Sequence, residues 1–409
     1  MVILLFAALF DQGTKEFGLY RTPVFLLMLG LFAFLIPAFG LKPVPLKLFI
    51  LNRDRWWLMA VTALALFGAW EELRKIWVAY PLPTPNSDVI QQLEYQCSRF
   101  AHHQQPYHPY PDLSWHPFPV YMPLHWMPLG LGQLFNFDVR WSAYLVFVFC
   151  TLIYAYQVSG INRSFVTRIV VALLPVAVLW YHILFLPDDL GVSPEMLIGG
   201  YYLLVAGALL VRNHWLLSVG IACCLLSRFT IFFWLPLLAV VYWKEYGFKK
   251  LMLIATIPTM ALLGLYVFPF LLKDPEIFMR GIAYHNGCAI NDFTPVSAEI
   301  PAGWNATYGI SGLIYFNAWF PEGGLDAVSQ TRALQGGVML FLNLLGMVLA
   351  WRWKKASAED ILLLFLFLIV FCFFWFSPMT FRYYYFTVFI LMAVLLARQL
   401  AGVRLSKTG

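Results

Sequence analysis

The chain has 409 residues, of which 61% are hydrophobic and only 12% charged. A soluble globular domain carries roughly a quarter charged residues, so this composition marks a membrane protein, and a net charge of +6 requires no nucleic-acid partner. Apolar runs of roughly 20 residues recur, the length that crosses a bilayer as an α-helix, and the short alternating segments of a membrane β-barrel are absent.

Met1 to Phe10 is apolar but too short to span. It lacks a basic leader and an Ala-x-Ala site, so no cleavable signal peptide is expected. Thr22 to Leu41 is the first clear span. Lys42, Lys47, Arg53 and Arg55 follow it and predict a cytoplasmic loop; Lys15 and Arg21 run against that pattern. Trp56 to Tyr80 is the next span. Its outer end carries Glu71, Glu72, Arg74 and Lys75. Charges are costly in lipid, so these are expected to pair with one another, face protein or reach the interface.

A first outer loop, 81–140, interrupts the apolar pattern. Asp88, Gln92, Tyr95, Arg99 and His102 recur every three or four residues and predict one polar helical stripe. Val89, Leu93, Cys97 and Phe100 form the opposing stripe. Such a helix lies in the membrane interface, apolar side down. Pro106 to Pro119 holds five prolines among aromatics and histidines and cannot be helical. Pro123 suits the first turn of a second short helix.

Spans follow at Trp141–Val158, Val166–Leu186 and Met196–Val211, with an acidic outer turn around Asp188 and Asp189. Trp215 to Trp243 reads as two short helices broken at Ser227–Thr230, a hairpin that dips into the membrane with Arg228 at depth. Leu251–Leu272 spans outward to a second outer loop, 273–331. Ala333–Trp353, Ile361–Phe376 and Met379–Ala397 complete the set. Arg398, Arg404 and Lys407 put the C-terminus in the cytoplasm. The prediction is an all-α polytopic bundle of about ten to eleven spans, one domain over 1–409, with interfacial helices in its two outer loops. Hydropathy shows no matching halves, which favours an interfacial enzyme over an alternating-access transporter.

Cys150, Cys223, Cys224 and Cys372 fall in apolar runs and read as small, inert core residues. Cys97 and Cys288 fall in polar loops and would pair only if those loops meet on an oxidising side.

Four stretches together resemble the GT-C superfamily of integral membrane glycosyltransferases, most closely glycosyltransferase family 87. The first outer loop has Asp88 just after a span, then Pro106 and Tyr107, then Tyr121, Pro123 and Pro128. The broken helix pair has Arg228 before an apolar run containing Pro236. The second outer loop has Asn305, Ala306, Thr307 and Gly309, similar to the family's Asn-x-Ser-x-x-Gly stretch. The last hairpin reads FSPMTFRYYYF, similar to the family's Ser-Pro-x-Ser-Trp-x-His-His region. The likeness runs from Asp88 to Phe386. It departs at Glu195, where SPEM replaces a Gly-Gln, and at Arg382 and Tyr384, which replace the hairpin's histidines.

The resemblance implies an inverting transferase that moves a mannose-like sugar from a polyprenyl-phosphate donor to a lipid or glycan acceptor. It implies an active side facing outward from a bacterial cytoplasmic membrane, with membrane lipids as surroundings. A phosphate leaves readily, so one carboxylate near the acceptor oxygen suffices, unlike the two of a glycosidase. Asp88 is the candidate base; it also reads as an ordinary helix-start aspartate. Arg382 leads the candidates for the donor phosphate, because guanidinium grips phosphate with a fork of donors. Arg228, Arg280 and Lys273 follow, although Arg228 also reads as a snorkelling side chain. Tyr107, Tyr121, His102, Glu195, Asn305 and Tyr384 are candidates for sugar or acceptor contacts; the tyrosines equally suit an interfacial aromatic belt. His102, His103, His108, His116 and His125 match no zinc spacing, and neither a metal nor another cofactor is expected. A flippase of lipid-linked sugars and a non-catalytic subunit of an envelope assembly are the alternatives.

Overall fold

The computed structural model describes residues 52–84, 87–111, 117–294, 308–309, 324–352 and 356–402. Among these the chain is all helical, without a strand, and is a multi-pass membrane protein. Six helical stretches are long and apolar enough to cross a bilayer: Arg140–Val158, Phe165–Phe185, Phe248–Leu271, Leu325–Arg352, Ala358–Trp375 and Arg382–Ala401. Two shorter apolar helices, Glu195–Val211 and His214–Leu225, complete the interior. The expected span at 22–41 lies outside the described residues.

The first helix, α1 (Asn52–Ala79), is long but carries charge near one end. There Glu71 pairs with Arg74 at 2.5 Å and Glu72 with Lys75 at 2.7 Å. The i,i+3 spacing makes each pair neighbours on the helix surface. The 81–140 loop, hereafter the first loop, follows. It contains α2 (Val89–Ala101), α3 (Pro123–Trp126), a single 3₁₀ turn (Met127–Leu129) and α4 (Gly130–Leu134). The chain then crosses as α5 (Arg140–Val158) and α6 (Phe165–Phe185), joined at Ser164, whose hydroxyl caps α6 by accepting from the Thr167 amide.

A short acidic helix, α7 (Pro187–Val192), leads into α8 (Glu195–Val211), which is buried along almost its whole length. Its small residues permit this. A Cβ at Gly199 would come within 2.6 Å of the Phe386 ring, so only glycine allows the last helix to approach so closely. Then come α9 (His214–Leu225), a 3₁₀ segment (Phe229–Phe233) and α10 (Leu235–Tyr246). After α11 (Phe248–Leu262) the helix widens into a π-helical stretch, Leu263–Leu271, that contains Pro269. Among the described residues the remaining helices are α12 (Ile277–Phe293), α13 (Gly324–Arg352), α14 (Ala358–Trp375) and α15 (Tyr385–Ala401), with a 3₁₀ turn at Arg382–Tyr384.

Two belts of buried or half-buried charge bound the apolar layer. At the end carrying the first loop, Arg140 is 1% exposed. It donates to the carbonyls of Tyr80 and Gly191 and to the Asp138 carboxylate, fastening α5 to the ends of α1 and α7. At the other end Arg168 meets Asp54 at 2.7 Å, Arg212 meets Glu359 at 3.2 Å, and Arg398 meets Asp360 at 2.5 Å.

Several sequence expectations change in detail. The segment 273–331 is not loop throughout: α12 fills much of its first part, and α13 begins at Gly324, so Thr331 is buried within a helix. The α2 stripes are rotated from the expected pattern. Gln92 and Gln96 are buried beside Val89, Leu93 and Cys97, while Phe100 is half exposed and stacks edge-on to Trp126. The neighbouring loop helices cover the α2 face that amphipathicity alone assigns to solvent. No disulfide joins Cys97 to Cys288: Cys97 is buried, its thiol 3.0 Å from the Trp126 carbonyl.

Candidate functional site

The break between α9 and α10 organises the site. Arg228 is extended, not helical, at the end of α9. Its neighbour Leu226 offers a carbonyl to the Leu124 amide at 2.7 Å. The break between α9 and α10 therefore docks on α3 of the 81–140 loop, and the two segments together line one side of a cavity.

That cavity has a volume of about 440 Å³. The first loop contributes Tyr107, Tyr121 and His125 to its wall. The break contributes Arg228, and the π-helical stretch contributes Tyr266. His285 and Asn286 come from α12, Arg332 and Gln335 from α13, and Tyr384 from the last hairpin. Apolar rings such as Phe229 and Phe373 fill the spaces between. The result is a largely apolar chamber with two guanidinium groups on its wall.

Arg228 donates to Glu195 at 2.8 Å and makes a second, shorter contact with the same carboxylate. Its guanidinium lies 4.4 Å from the Tyr384 ring centre and 5.8 Å from that of Phe374. Glu195 is 2% exposed. Both charges are thus inside the bundle and compensate each other, as buried charges must. Arg332 donates to Gln335 at 3.1 Å and to Asn286 at 3.2 Å, and Gln335 in turn donates to the Phe373 carbonyl at 2.7 Å. This network fixes Arg332 against α12. Its charge, after burial, holds the neighbouring His285 down to about 4, so that imidazole is neutral.

His125 is fully buried, and neither ring nitrogen has a hydrogen-bond partner. Burial, then the Arg228 charge, pushes its pKa well below the usual histidine range. A neutral imidazole offers one donor and one acceptor; the Ser227 backbone faces the ring closely enough to oppose the fall in its pKa, without forming a well-aligned hydrogen bond.

Asp88 stands immediately before α2, outside the cavity lining. It makes no cap bond to the helix backbone. Its carboxylate accepts from Gln92 at 2.7 Å instead. Burial raises its pKa, and the Gln92 hydrogen bond opposes that rise. Its charge acts on Tyr121 and Tyr384, and both tyrosines also feel Arg228 and Glu195. Asp88 and Arg228 therefore share one electrostatic neighbourhood.

Arg382, the leading phosphate candidate, lies outside the cavity lining and pairs with the acidic turn. Its Nε meets Asp189 at 2.8 Å and its Nη2 lies 3.4 Å from Asp188. The acidic turn is not simply solvated, because Asp189 is 4% exposed. Tyr80 also donates to Asp188. Arg280 pairs with Asp274 and lies over the Phe118 ring at 5.5 Å; Lys273 is exposed. Neither lines the cavity. His102 is exposed at the end of α2, its Nδ1 2.8 Å from the Ser98 carbonyl, and serves its own helix. Asn305 lies outside the described residues. Gly309 is described: Tyr308 donates to the Thr380 carbonyl at 2.7 Å, and Tyr385 donates to the Tyr308 carbonyl at 2.5 Å, tying this short piece to the last hairpin. Among the described residues no three His, Cys, Asp or Glu side chains converge on a point.

The sequence reading missed Arg332, Gln335, His285 and Asn286. The i,i+3 pair Arg332 and Gln335 was the available signal, at the margin of an apolar run where a boundary cation is ordinarily an interface anchor.

Comparison with protein-family models, curated proteins and solved structures finds no match for the chain.

Proposed function

We propose that this protein is a membrane-embedded inverting glycosyltransferase. It takes a mannose-like sugar from a polyprenyl-phosphate donor and passes it to a lipid or glycan acceptor. One observation carries the reading: a largely apolar chamber beneath the first outer loop bears two guanidinium groups, Arg228 and Arg332, within a tyrosine-rich wall. An anionic head on a greasy tail is the ligand such a chamber suits, since buried cations favour phosphate and apolar walls favour prenyl carbons.

In the proposed reaction the acceptor hydroxyl attacks the anomeric carbon as the bond to the donor phosphate breaks. The electron pair leaves with the phosphate, stabilised by Arg228 and Arg332. Asp88 takes the hydroxyl proton. Its raised pKa brings it closer to the working pH of a general base. Tyr107, Tyr121 and Tyr384 offer faces for the sugar, and His125 offers a polar contact. We place this site on the outward face of a bacterial cytoplasmic membrane, with the C-terminus in the cytoplasm, on the distribution of Lys and Arg among the loops.

The test is sugar transfer in proteoliposomes supplied with polyprenyl-phosphate mannose and a membrane-lipid extract. Wild type is expected to transfer, and Asp88→Asn to lose about 10²- to 10⁴-fold. Equal transfer by a folded Asp88→Asn protein removes Asp88 as the base. Absence of both transfer and donor binding by wild type overturns the assignment of class.

A further inference from the structure

A second cleft, of about 460 Å³, opens at the opposite end of the bundle. Its wall includes Arg55 of α1, Arg212 at the end of α8 and Lys250 in the first turn of α11. No Asp or Glu is among its described lining residues. Arg212 is already answered by Glu359 at 3.2 Å. Arg55 and Lys250 have no carboxylate partner among the described residues. Arg55 is held at the rim by Tyr156, whose hydroxyl is 3.3 Å from Nη1 and whose ring centre is 5.3 Å from the guanidinium carbon.

Two further features converge there. Helix α9 begins at the cleft. Asn213 caps it by accepting from the Leu216 amide at 3.1 Å, and His214 and Trp215 of its first turn belong to the wall. The positive end of the helix thus adds to the two side-chain cations. Trp215 is 64% exposed, and an exposed indole on a membrane protein prefers the boundary between headgroups and acyl chains. Arg212 also occupies the left-handed region, φ 58°, where glycine is the usual residue. An arginine there accepts conformational strain to set a long cationic side chain at that corner.

We infer that this cleft binds the phosphate of an anionic glycerophospholipid, with Arg55 and Lys250 as counter-charges and Trp215 beside the glycerol. Basic pockets between transmembrane helices recognise such headgroups by charge. The site is separate from the chamber beneath the first loop and does not depend on its reaction.

The test uses the full-length protein in mild detergent, titrated with phosphatidylglycerol or phosphatidylcholine, with bound lipid counted by native mass spectrometry. Preferential retention of phosphatidylglycerol is expected. Arg55→Gln with Lys250→Gln is expected to weaken it about thirtyfold. Lys249→Gln, an exposed neighbour outside the cleft, should leave it unchanged, and Arg55→Lys with Lys250→Arg should retain it. Competition by millimolar glycerol 3-phosphate separates the sources: displacement assigns the site to any phosphate ester, and persistence assigns it to the lipid. Binding that survives the double charge removal overturns the inference. So does equal retention of the two lipids without any competition by the soluble ester.

Discussion

Asp189 and Arg382 meet at 2.8 Å although 193 positions separate them in the chain. Burial pushes the Asp189 carboxyl up to about 6, against the opposing pull of Arg382. Because the folded value exceeds the ordinary 3.8, the folded state holds its proton more tightly than the unfolded state. The resulting stability is complete below the ordinary value and is lost as pH rises through about 6. Thermal unfolding in detergent between pH 4 and pH 7 is expected to show this slope. Asp189→Asn should flatten it, and Arg382→Gln should move its upper limit to higher pH.

Glu195 and Arg228 form the buried ion pair of the cavity wall. Removing one partner leaves an uncompensated charge in an apolar interior, worth about 3–5 kcal/mol. Glu195→Gln is therefore expected to lower the melting temperature strongly. Glu195→Gln combined with Arg228→Met should recover much of the loss. A single substitution without effect on melting would show that water reaches the pair.

The Gln92 side chain donates to Asp88 and opposes the rise in its pKa. A base works only when ionised, so the acid limb of the transfer rate should lie above the ordinary carboxylate range. Gln92→Leu removes the donor and is expected to shift that limb further upward, with little change in the rate on its alkaline plateau. A limb that stays in place would separate Asp88 from the proton transfer.

His125 is buried without a well-aligned hydrogen bond, the Ser227 backbone being its polar neighbour, and a poorly satisfied buried polar group costs about 1–3 kcal/mol. His125→Leu is therefore expected to raise the melting temperature. If the imidazole meets the sugar or the acceptor, the same change should raise KM for one of them. A stabilised variant with unaltered kinetics would make His125 a packing residue.

Gly309 sits against the last hairpin. A Cβ there would lie 2.6 Å from the Trp375 carbonyl oxygen, and backbone cannot yield as a side-chain tip does. Gly309→Ala is expected to destabilise the protein by about 1–3 kcal/mol and to loosen the hydrogen bonds that Tyr308 makes with Thr380 and Tyr385. Hydrogen exchange at the Tyr308 amide reads this directly.

Much of the helical layout was legible because hydropathy reports on the bilayer directly. The boundaries of α5 and α6 fall within one residue of those read from the runs, and the break at Arg228 was visible as polar residues inside an apolar stretch. The contacts were less so. Nothing in local pattern pairs Arg382 with Asp189, because sequence distance hides a meeting made by the ends of α7 and α15. The rotation of α2 was hidden for a similar reason: Gln92 and Gln96 are polar in sequence but find partners in Asp88 and the Tyr121 carbonyl. Arg332 escaped notice because a cation at the edge of a span is commonplace, and only its hydrogen bonds to Asn286 and Gln335 distinguish it.

The hydrogen bond from the Leu124 amide to the Leu226 carbonyl makes the first loop and the α9–α10 hairpin a single unit of exchange. A chimera that imports another protein's loop in place of residues 88–138, or another hairpin, keeps this bond only if its backbone places an N–H and a carbonyl at the positions of Leu124 and Leu226. Exchange of either segment in this scaffold therefore calls for coordinated replacement of the other, although the two bonded residues lie 102 positions apart in the chain (226 − 124), whereas side-chain changes within the cavity leave both backbones where they are.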